Sequence, residues 1–293
     1  MIAVDWGTSN FRAFRLDDDG AILGRRCSPR GILRVEDGRF AEVLLAEVGD
    51  WLAQGENRIL LCGMIGSRQG WIEGRYLPCP IGASDLAEGV LRVPFAAADV
   101  RLVPGVIGAD ADGMPEMMRG EETEAVGVFD SCGGAGLVCF PGTHSKWICL
   151  SNRKIVSFLT YMTGEVYSAL RKCTILGRMM TTNAALDGAA FRRGIVRSAE
   201  SGGLLHHLFS VRTLALMNLL GEEESASYLS GLLIGHEVRA AMPHAAHVHL
   251  VGDPVLCSLY TQAIDACGGS STVEDGDAAA RGLAAIGRRL TWN

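Results

Sequence analysis

The chain has 293 residues, 48% of them hydrophobic and 20% charged, and carries a net charge of −6. This composition specifies a globular chain with room for one large or two medium domains, and its acidic balance argues against nucleic acid as the main partner. The opening MIAVDWG has no basic region and holds Asp5 inside its only apolar stretch, unlike a secretory signal, and no run is long enough to cross a bilayer.

Residues 2–6 (IAVDW) are expected to form a short strand ending in the turn Gly7-Thr8-Ser9-Asn10. A second strand follows over 11–16, then the turn Asp17-Asp18-Asp19-Gly20 and a third strand from Ala21 to about Cys27. Asp/Gly clusters between β-prone runs are hairpin signals. Residues 40–53 set Phe40, Val43, Leu44, Val48 and Leu52 at helical spacing. A buried strand, Ile59 to Cys62, then runs into GMIGSR, residues 63–68.

The plan returns later in the chain. GLVCF (136–140) is a strand, PGTHSK (141–146) a turn, WICLS (147–151) a strand, Asn152-Arg153-Lys154 a turn and IVSFLTYM (155–162) a strand. Helices are expected over 164–172, 203–220 and 223–241, then a strand from Val248 to Val251, the turn Gly252-Asp253-Pro254 and a helix over 255–266. The repetition is one of architecture, with no repeated sequence. No low-complexity linker parts the halves, and the boundary is placed near Pro115, giving lobes 1–115 and 116–293. Nine scattered cysteines without a Cys-x-x-Cys pair read as buried free thiols of a reducing cytoplasm, so a cytoplasmic protein is expected.

A turn rich in Gly, Thr, Ser and a cation between two strands suits a bound phosphate, although either turn alone is also an ordinary hairpin. Two in matching places suggest one nucleotide served by both. This resembles the actin/hexokinase/Hsp70 fold: α/β, two-lobed, with duplicated βββα units of the ribonuclease H-like kind around a central nucleotide cleft. The stretches DWGTSNFRAFRL, CGMIGSRQGW, PGVIGADADGMPEMMRGEETE, PGTHSKW and TYMTGE extend the likeness over almost the whole chain. They resemble the 2-dehydro-3-deoxygalactonokinase family, and MRGEETE followed closely by PGTHSKW is the most specific part. The resemblance implies ATP-dependent phosphorylation of the 6-hydroxyl of 2-dehydro-3-deoxy-D-galactonate, in galactonate catabolism, with ATP and Mg²⁺ as cofactors.

Phosphoryl transfer needs positioning and charge neutralisation more than covalent chemistry. Gly7 and Gly142 let backbone amides approach phosphate oxygens, while Thr8, Ser9, Asn10, Thr143, His144 and Ser145 add polar groups around them. Lys146 supplies a cation for the β/γ-phosphates, and Arg12 either does the same or pairs with an acid. Asp5 ends an apolar strand, where it either caps its own turn or holds Mg²⁺ through water.

Arg119-Gly120-Glu121-Glu122-Thr123-Glu124 opens a helical segment. Acids gather in a first helical turn for the sake of the dipole; alternatively Glu121 or Glu122 takes the proton of the attacking hydroxyl. The wider superfamily places an Asp there, so Glu is a departure that leaves the choice between the two open. Adjacent helical residues point about 100° apart, so only one can face a cleft well. The substrate's carboxylate calls for an arginine, with Arg68 first, then Arg119 and Arg212. Thr163, Gly164 and Glu165 either bind sugar hydroxyls or cap the following helix. Gly252, Asp253 and Tyr260 resemble an adenosine loop, and a plain strand-to-helix turn explains them equally simply. The histidines, including His247 and His249, read as solvated or core residues. Glycines 105, 108, 113 and 120 could give hinge freedom for closure over the substrate. Alternatives are a kinase of another sugar or sugar acid, and a nucleotide switch of the actin-like class; a sugar-sensing regulator is disfavoured because no helix-turn-helix precedes the first strand. Oligomeric state is left open.

Overall fold

The computed structural model describes residues 1–292, which divide into two compact units. The first comprises Met1–Gly136, Ile148–Phe158 and the segment from Asp275 onward; the second comprises Leu137–Trp147 and Leu159–Glu274. The chain thus passes between the units several times.

In the first unit, β1 (Ile2–Trp6), β2 (Phe11–Leu16) and β3 (Ile22–Ser28) are successive antiparallel strands, and α1 (Phe40–Ala53) leads to β4 (Arg58–Cys62). There follow β5 (Tyr76–Pro78), α2 (Ala83–Glu88), β6 (Leu91–Val93), β7 (Asp99–Leu102), β8 (Gly105–Ala109), β9 (Pro115–Met118) and α3 (Glu121–Gly127). The main sheet runs β3-β2-β1-β4-β7-β6, with β4 parallel to β1 and β7 parallel to β4. A small sheet, β5-β8-β9, lies within residues 76–118, where no element was anticipated.

Alternation explains the core. Ile2, Val4 and Trp6 from β1 and Phe11 and Ala13 from β2 share a cluster with Leu44 and Val48 of α1 and with Ile59 and Leu61 of β4. Each such side chain contributes about 1.5–3 kcal/mol by leaving water. The register sets Asp5 opposite Arg12 on one neighbour and Cys62 on the other.

The later elements are β10 (Gly136–Phe140), β11 (Ser145–Ser151), β12 (Lys154–Tyr161), α4 (Thr163–Cys173), α5 (Gly188–Ser198), α6 (Gly203–Leu216), α7 (Glu222–Ala241), β13 (His247–Leu250), α8 (Pro254–Ala266), β14 (Ser270–Val273) and α9 (Ala278–Gly287). Their sheet runs β12-β11-β10-β13-β14, with β13 parallel to β10 and β14 parallel to β13. Numbering the strands within each sheet, both begin 3-2-1-4; the six-stranded sheet continues 6-5 and the five-stranded one ends in 5. The helix anticipated over 203–220 stops at Leu216 because Asn218 turns left-handed at φ 59°. In the second unit, Phe191 and Ile195 of α5 and Ile234 and Val238 of α7 meet Leu250, Tyr260 and Ile264 in one core.

Helix α9 returns to the first unit and packs on α3. An added Cβ at Gly127 would lie 1.9 Å from the Ala278 carbonyl, and one at Gly282 would lie 1.8 Å from that of Thr123. Only glycine permits this contact, which fixes the helix carrying the acids. All nine cysteines are free, but only Cys62, Cys132, Cys139 and Cys257 are buried. The sequence expectation of buried thiols therefore fails for Cys27, Cys149 and Cys173, which are exposed. Among the described residues no helix is long and apolar enough to cross a membrane.

Candidate active site

The first turn leaves β1 at Trp6, whose indole N–H donates to the Arg30 carbonyl at 2.8 Å. The carbonyls of Gly7, Thr8 and Ser9 accept from the N–H groups of Ile32 (3.0 Å), Leu33 (3.3 Å) and Gly31 (3.2 Å). The segment 31–33 thereby occupies the oxygens that would repel an anion. Thr8, Ser9 and Asn10 remain exposed, with their hydroxyl and amide groups available to a phosphate.

Beneath this turn the sheet register assembles a charged cluster. Arg12 Nε donates to Asp5 Oδ2 at 2.8 Å, Arg12 Nη2 also contacts Asp5, and Nη2 reaches Glu124 Oε1 at 3.1 Å. Attraction from Asp5, reinforced by Glu124 against the cost of burial, raises the Arg12 guanidinium pKa. Arg12 thus pairs with acids, one of its two anticipated roles. Glu124 is pushed up to about 7, first by burial and then by Asp5, with Arg12 opposing. The backbone at Gly63 runs close alongside, with φ 91° and an ideal Cβ only 2.9 Å from the Trp6 carbonyl and 3.0 Å from Asp5 Oδ1.

Helix α3 begins at Glu121, as expected for the acid-bearing segment. Glu122 is fully buried; its carboxylate accepts from the Gly120 N–H at 2.7 Å and the Thr123 hydroxyl at 3.1 Å. Burial, then the neighbouring Glu121, pushes it up to about 8. Glu121 is half-buried and accepts from the Arg119 N–H at 3.2 Å. Burial is the first cause of both raised pKa values, and the neighbouring carboxylates add to it.

In the second unit the turn 141–146 is gripped by the start of α4. The Glu165 N–H donates to the Thr143 carbonyl at 3.0 Å, and the Glu165 carboxylate contacts His144 Nε2. Gly164 lies so near that a Cβ would stand 2.5 Å from the Gly142 carbonyl. Gly142 and Thr143 stay accessible at the surface, and Gly252, φ 147°, approaches the Pro141 carbonyl. Lys146 is buried, with Nζ 3.5 Å from the His144 carbonyl.

Ser145 and Tyr260, anticipated as nucleotide contacts, turn their hydroxyls toward each other at 2.8 Å. Tyr260 also donates to Glu237 Oε2 at 2.7 Å, and the Trp147 indole donates to Oε1 at 2.8 Å. Burial raises Glu237, opposed by hydrogen bonds from Thr163, Trp147, Tyr260 and Ser145. This network braces the turn from below, and Thr163 belongs to it. Asp253 caps α8, accepting from Val255 at 2.9 Å and Leu256 at 3.1 Å. A cavity of about 240 Å³ adjoins the turn, lined in part by Gly142, Gly164, Leu256, Leu259 and Tyr260.

Of the three arginines, Arg68 is exposed and lies 3.5 Å from Glu73, Arg119 is buried beside the acid helix, and Arg212 lies half-buried on α6. Sequence reasoning missed Glu237, a helix residue that only the fold brings to Ser145. It noted Glu124 as one of three acids without seeing Arg12 as its partner, although the charged pair across a β1–β2 hairpin was a usable signal for Asp5 and Arg12. His247 bonds Ser270 and Thr272, whereas His249 meets the Glu274 carboxylate at 2.7 Å, an acid that sequence spacing had not linked to it.

Two sheets that share the order 3-2-1-4, each with a hydroxyl-bearing turn after its first strand, define the actin-like ATPase fold of the ribonuclease H-like kind. The model of the 2-keto-3-deoxy-galactonokinase family matches residues 5–286. A probable 2-dehydro-3-deoxygalactonokinase of Rhizobium meliloti (strain 1021) is 36% identical over 297 residues, covering 99% of this chain and 97% of that protein. The 2-dehydro-3-deoxygalactonokinase of Escherichia coli (strain K12) is 33% identical over 282 residues, covering 95% and 94%. A crystallised Sinorhizobium meliloti protein ascribed to the same activity superposes with a TM-score of 0.89 at 34% identity, covering 98% of each chain. The chain belongs to the 2-keto-3-deoxy-galactonokinase family.

Proposed function

We propose that this chain transfers the γ-phosphoryl group of ATP to the 6-hydroxyl of 2-dehydro-3-deoxy-D-galactonate, giving the 6-phosphate. The observation that carries this reading is the buried acid cluster at the start of α3, set beside a turn stripped of competing carbonyls, in a chain matched to a sugar-acid kinase family over residues 5–286. The turn at Gly7–Asn10 and the turn at Gly142–Ser145 offer amides and hydroxyls to phosphate oxygens, and Lys146 adds a cation. The cavity beside Gly142 takes the adenosine end, with Gly252 allowing close backbone approach.

Either Glu121 or Glu122 accepts the proton leaving the acceptor hydroxyl. The carboxylate oxygens of Asp5 and Glu124 fit a hard, oxygen-seeking divalent ion such as Mg²⁺, with Asp5 holding it through water. When bound, that ion neutralises charge on the β- and γ-phosphate oxygens. The residues of the chain position both reactants and move the proton.

The test is ADP release measured with and without the keto-acid. A kinase of this substrate releases ADP only when the acid is present, and the product carries phosphate at C6. ADP release independent of any sugar acid would point instead to a nucleotide switch and would end this proposal.

A further inference from the structure

Arg119 is 7% exposed, follows β9 and immediately precedes the glycine that starts the acid helix. Its guanidinium stacks on the Tyr76 ring at 4.3 Å from the centroid and donates through Nη2 to the Gly74 carbonyl at 2.6 Å. Its Nε and Nη1 have no acceptor, and neither does the buried Ser67 hydroxyl. Arg119 has no ion pair among those found in the described residues. A buried cation without a counter-charge is costly to a fold, and an unmade hydrogen bond at each orphaned donor adds to the cost.

The surrounding chain is shaped around this group. A Cβ at Gly66 or at Gly74 would come within 2.8 Å of Arg119 Nη1, so the guanidinium packs closely against glycine at both positions of its slot. The backbone bond from Gly74 N–H to the Gly66 carbonyl, 2.8 Å, closes residues 67–73 into a loop over the slot. At the other end of the same residue, the Arg119 N–H holds Glu121. Arg68, on the outside of that loop, is 88% exposed and already lies near Glu73, which leaves it poorly placed to discriminate one anion from another.

The geometry assigns recognition of the acceptor's carboxylate to Arg119 and Ser67. This rests on the reading of the chain as a kinase of a 2-keto sugar acid and deepens it by naming the acid-selecting group. The unpaired Nε and Nη1 each offer a charge-assisted donor to an anion's oxygens, and Ser67 adds another. Lifting of the 67–73 loop admits the anion, and the loop closes again with the acid's negative charge set against the buried guanidinium. A neutral sugar leaves those donors unpaired and is rejected.

The experiment compares kcat/KM for the keto-acid and for its neutral C1 amide in wild type, Arg119→Lys, Arg119→Met, Ser67→Ala and Arg68→Ala. Wild type is expected to prefer the acid by about 100-fold, the scale of two charge-assisted hydrogen bonds. Arg119→Met should collapse that preference to a few-fold with KM for ATP unchanged. Arg119→Lys should retain part of the preference, and Ser67→Ala should lower it roughly tenfold. A preference kept in Arg119→Met, equal losses on acid and amide, or a collapse in Arg68→Ala would each overturn the assignment. Should Arg119→Met not fold, Arg119→Lys and Ser67→Ala decide, since a wild-type preference in both overturns it. If wild type phosphorylates neither compound, the kinase reading itself has failed. Thermal stabilisation by pyruvate, a minimal 2-keto carboxylate, then tests the site alone: stabilisation of wild type lost in Ser67→Ala supports it, and equal or absent stabilisation overturns it.

Discussion

Glu122 makes the folding free energy depend on pH in a direction opposite to that of most carboxylates. Its carboxyl is held at about 8 against an ordinary 4.5, because burial and Glu121 outweigh the hydrogen bonds from Gly120 and Thr123. The folded chain therefore keeps a proton that the unfolded chain gives up. With the folded value raised, the stabilisation is complete below pH 4.5 and is lost as pH rises through 8. At 1.36 kcal/mol for each pH unit, the full window amounts to about 5 kcal/mol, of which about 2.5 kcal/mol falls between pH 5 and pH 7. Glu122→Gln keeps an acceptor for the Gly120 N–H and cannot titrate. For a chain of this size about 2.5 kcal/mol corresponds to roughly 5 °C in Tm. Melting of wild type and variant, followed by calorimetry at pH 5, 6, 7 and 8, should show the variant gaining about 5 °C on wild type between pH 5 and 7. A Tm difference constant to about 1 °C over that range would refute the reasoning, because it would mean that Glu122 is solvated when ionised.

Turnover should fall by roughly 10²–10⁴-fold in whichever of Glu121→Gln and Glu122→Gln removes the base, with far less effect from the other; near-normal kcat in both would reduce these acids to partners of the helix dipole. If the base is Glu122, kcat/KM should climb about tenfold per pH unit toward a plateau above pH 8, and a flat profile from pH 6 to 9 would exclude it. Lys146→Ala should depress kcat more than ATP affinity, measured by pre-steady-state binding, and an unchanged kcat would remove the residue from the transition state. Gly63→Ala forces a side chain into φ 91° against the Trp6 carbonyl, costing about 2 kcal/mol or more and visible as a lowered Tm; a variant as stable as wild type would contradict that contact. Tyr260→Phe leaves Glu237 and Ser145 short of a partner and should cost about 1–3 kcal/mol in urea denaturation, whereas a neutral result would mean that water replaces the hydroxyl.

Local pattern carried the first half of each unit's sheet. Residues 2–6 and 11–16 are short, mostly apolar runs between turn residues, and the period-3.6 spacing of Phe40, Leu44 and Val48 gave a helix ending where α1 ends. The 3-2-1-4 order shared by the two sheets follows from such runs plus the requirement that apolar faces be buried together. The β5-β8-β9 sheet was invisible for a physical reason: its strands are three to five residues long and rich in Gly, Pro and Met, so pairing alone holds them extended. The return of α9 to α3 depends on glycines 127 and 282 meeting backbone from a distant part of the chain, which no single window contains. Site chemistry divides in the same way. Asp5 and Arg12 are cross-strand neighbours in one hairpin and could be paired from sequence, whereas Glu237 under Ser145 and Ser67 beside the Arg119 loop require tertiary placement. The acids of α3 show what that placement adds. In sequence Glu121, Glu122 and Glu124 are three similar carboxylates at a helix start. In the fold one is sealed and holds its proton to about pH 8, one is bridged through Arg12 to Asp5, and one holds the backbone of Arg119. Three different electrostatic environments on one helical turn give the chain a proton reservoir, a charge bridge and a link to the loop over the buried guanidinium, and a kinase of an anionic acceptor has a use for each.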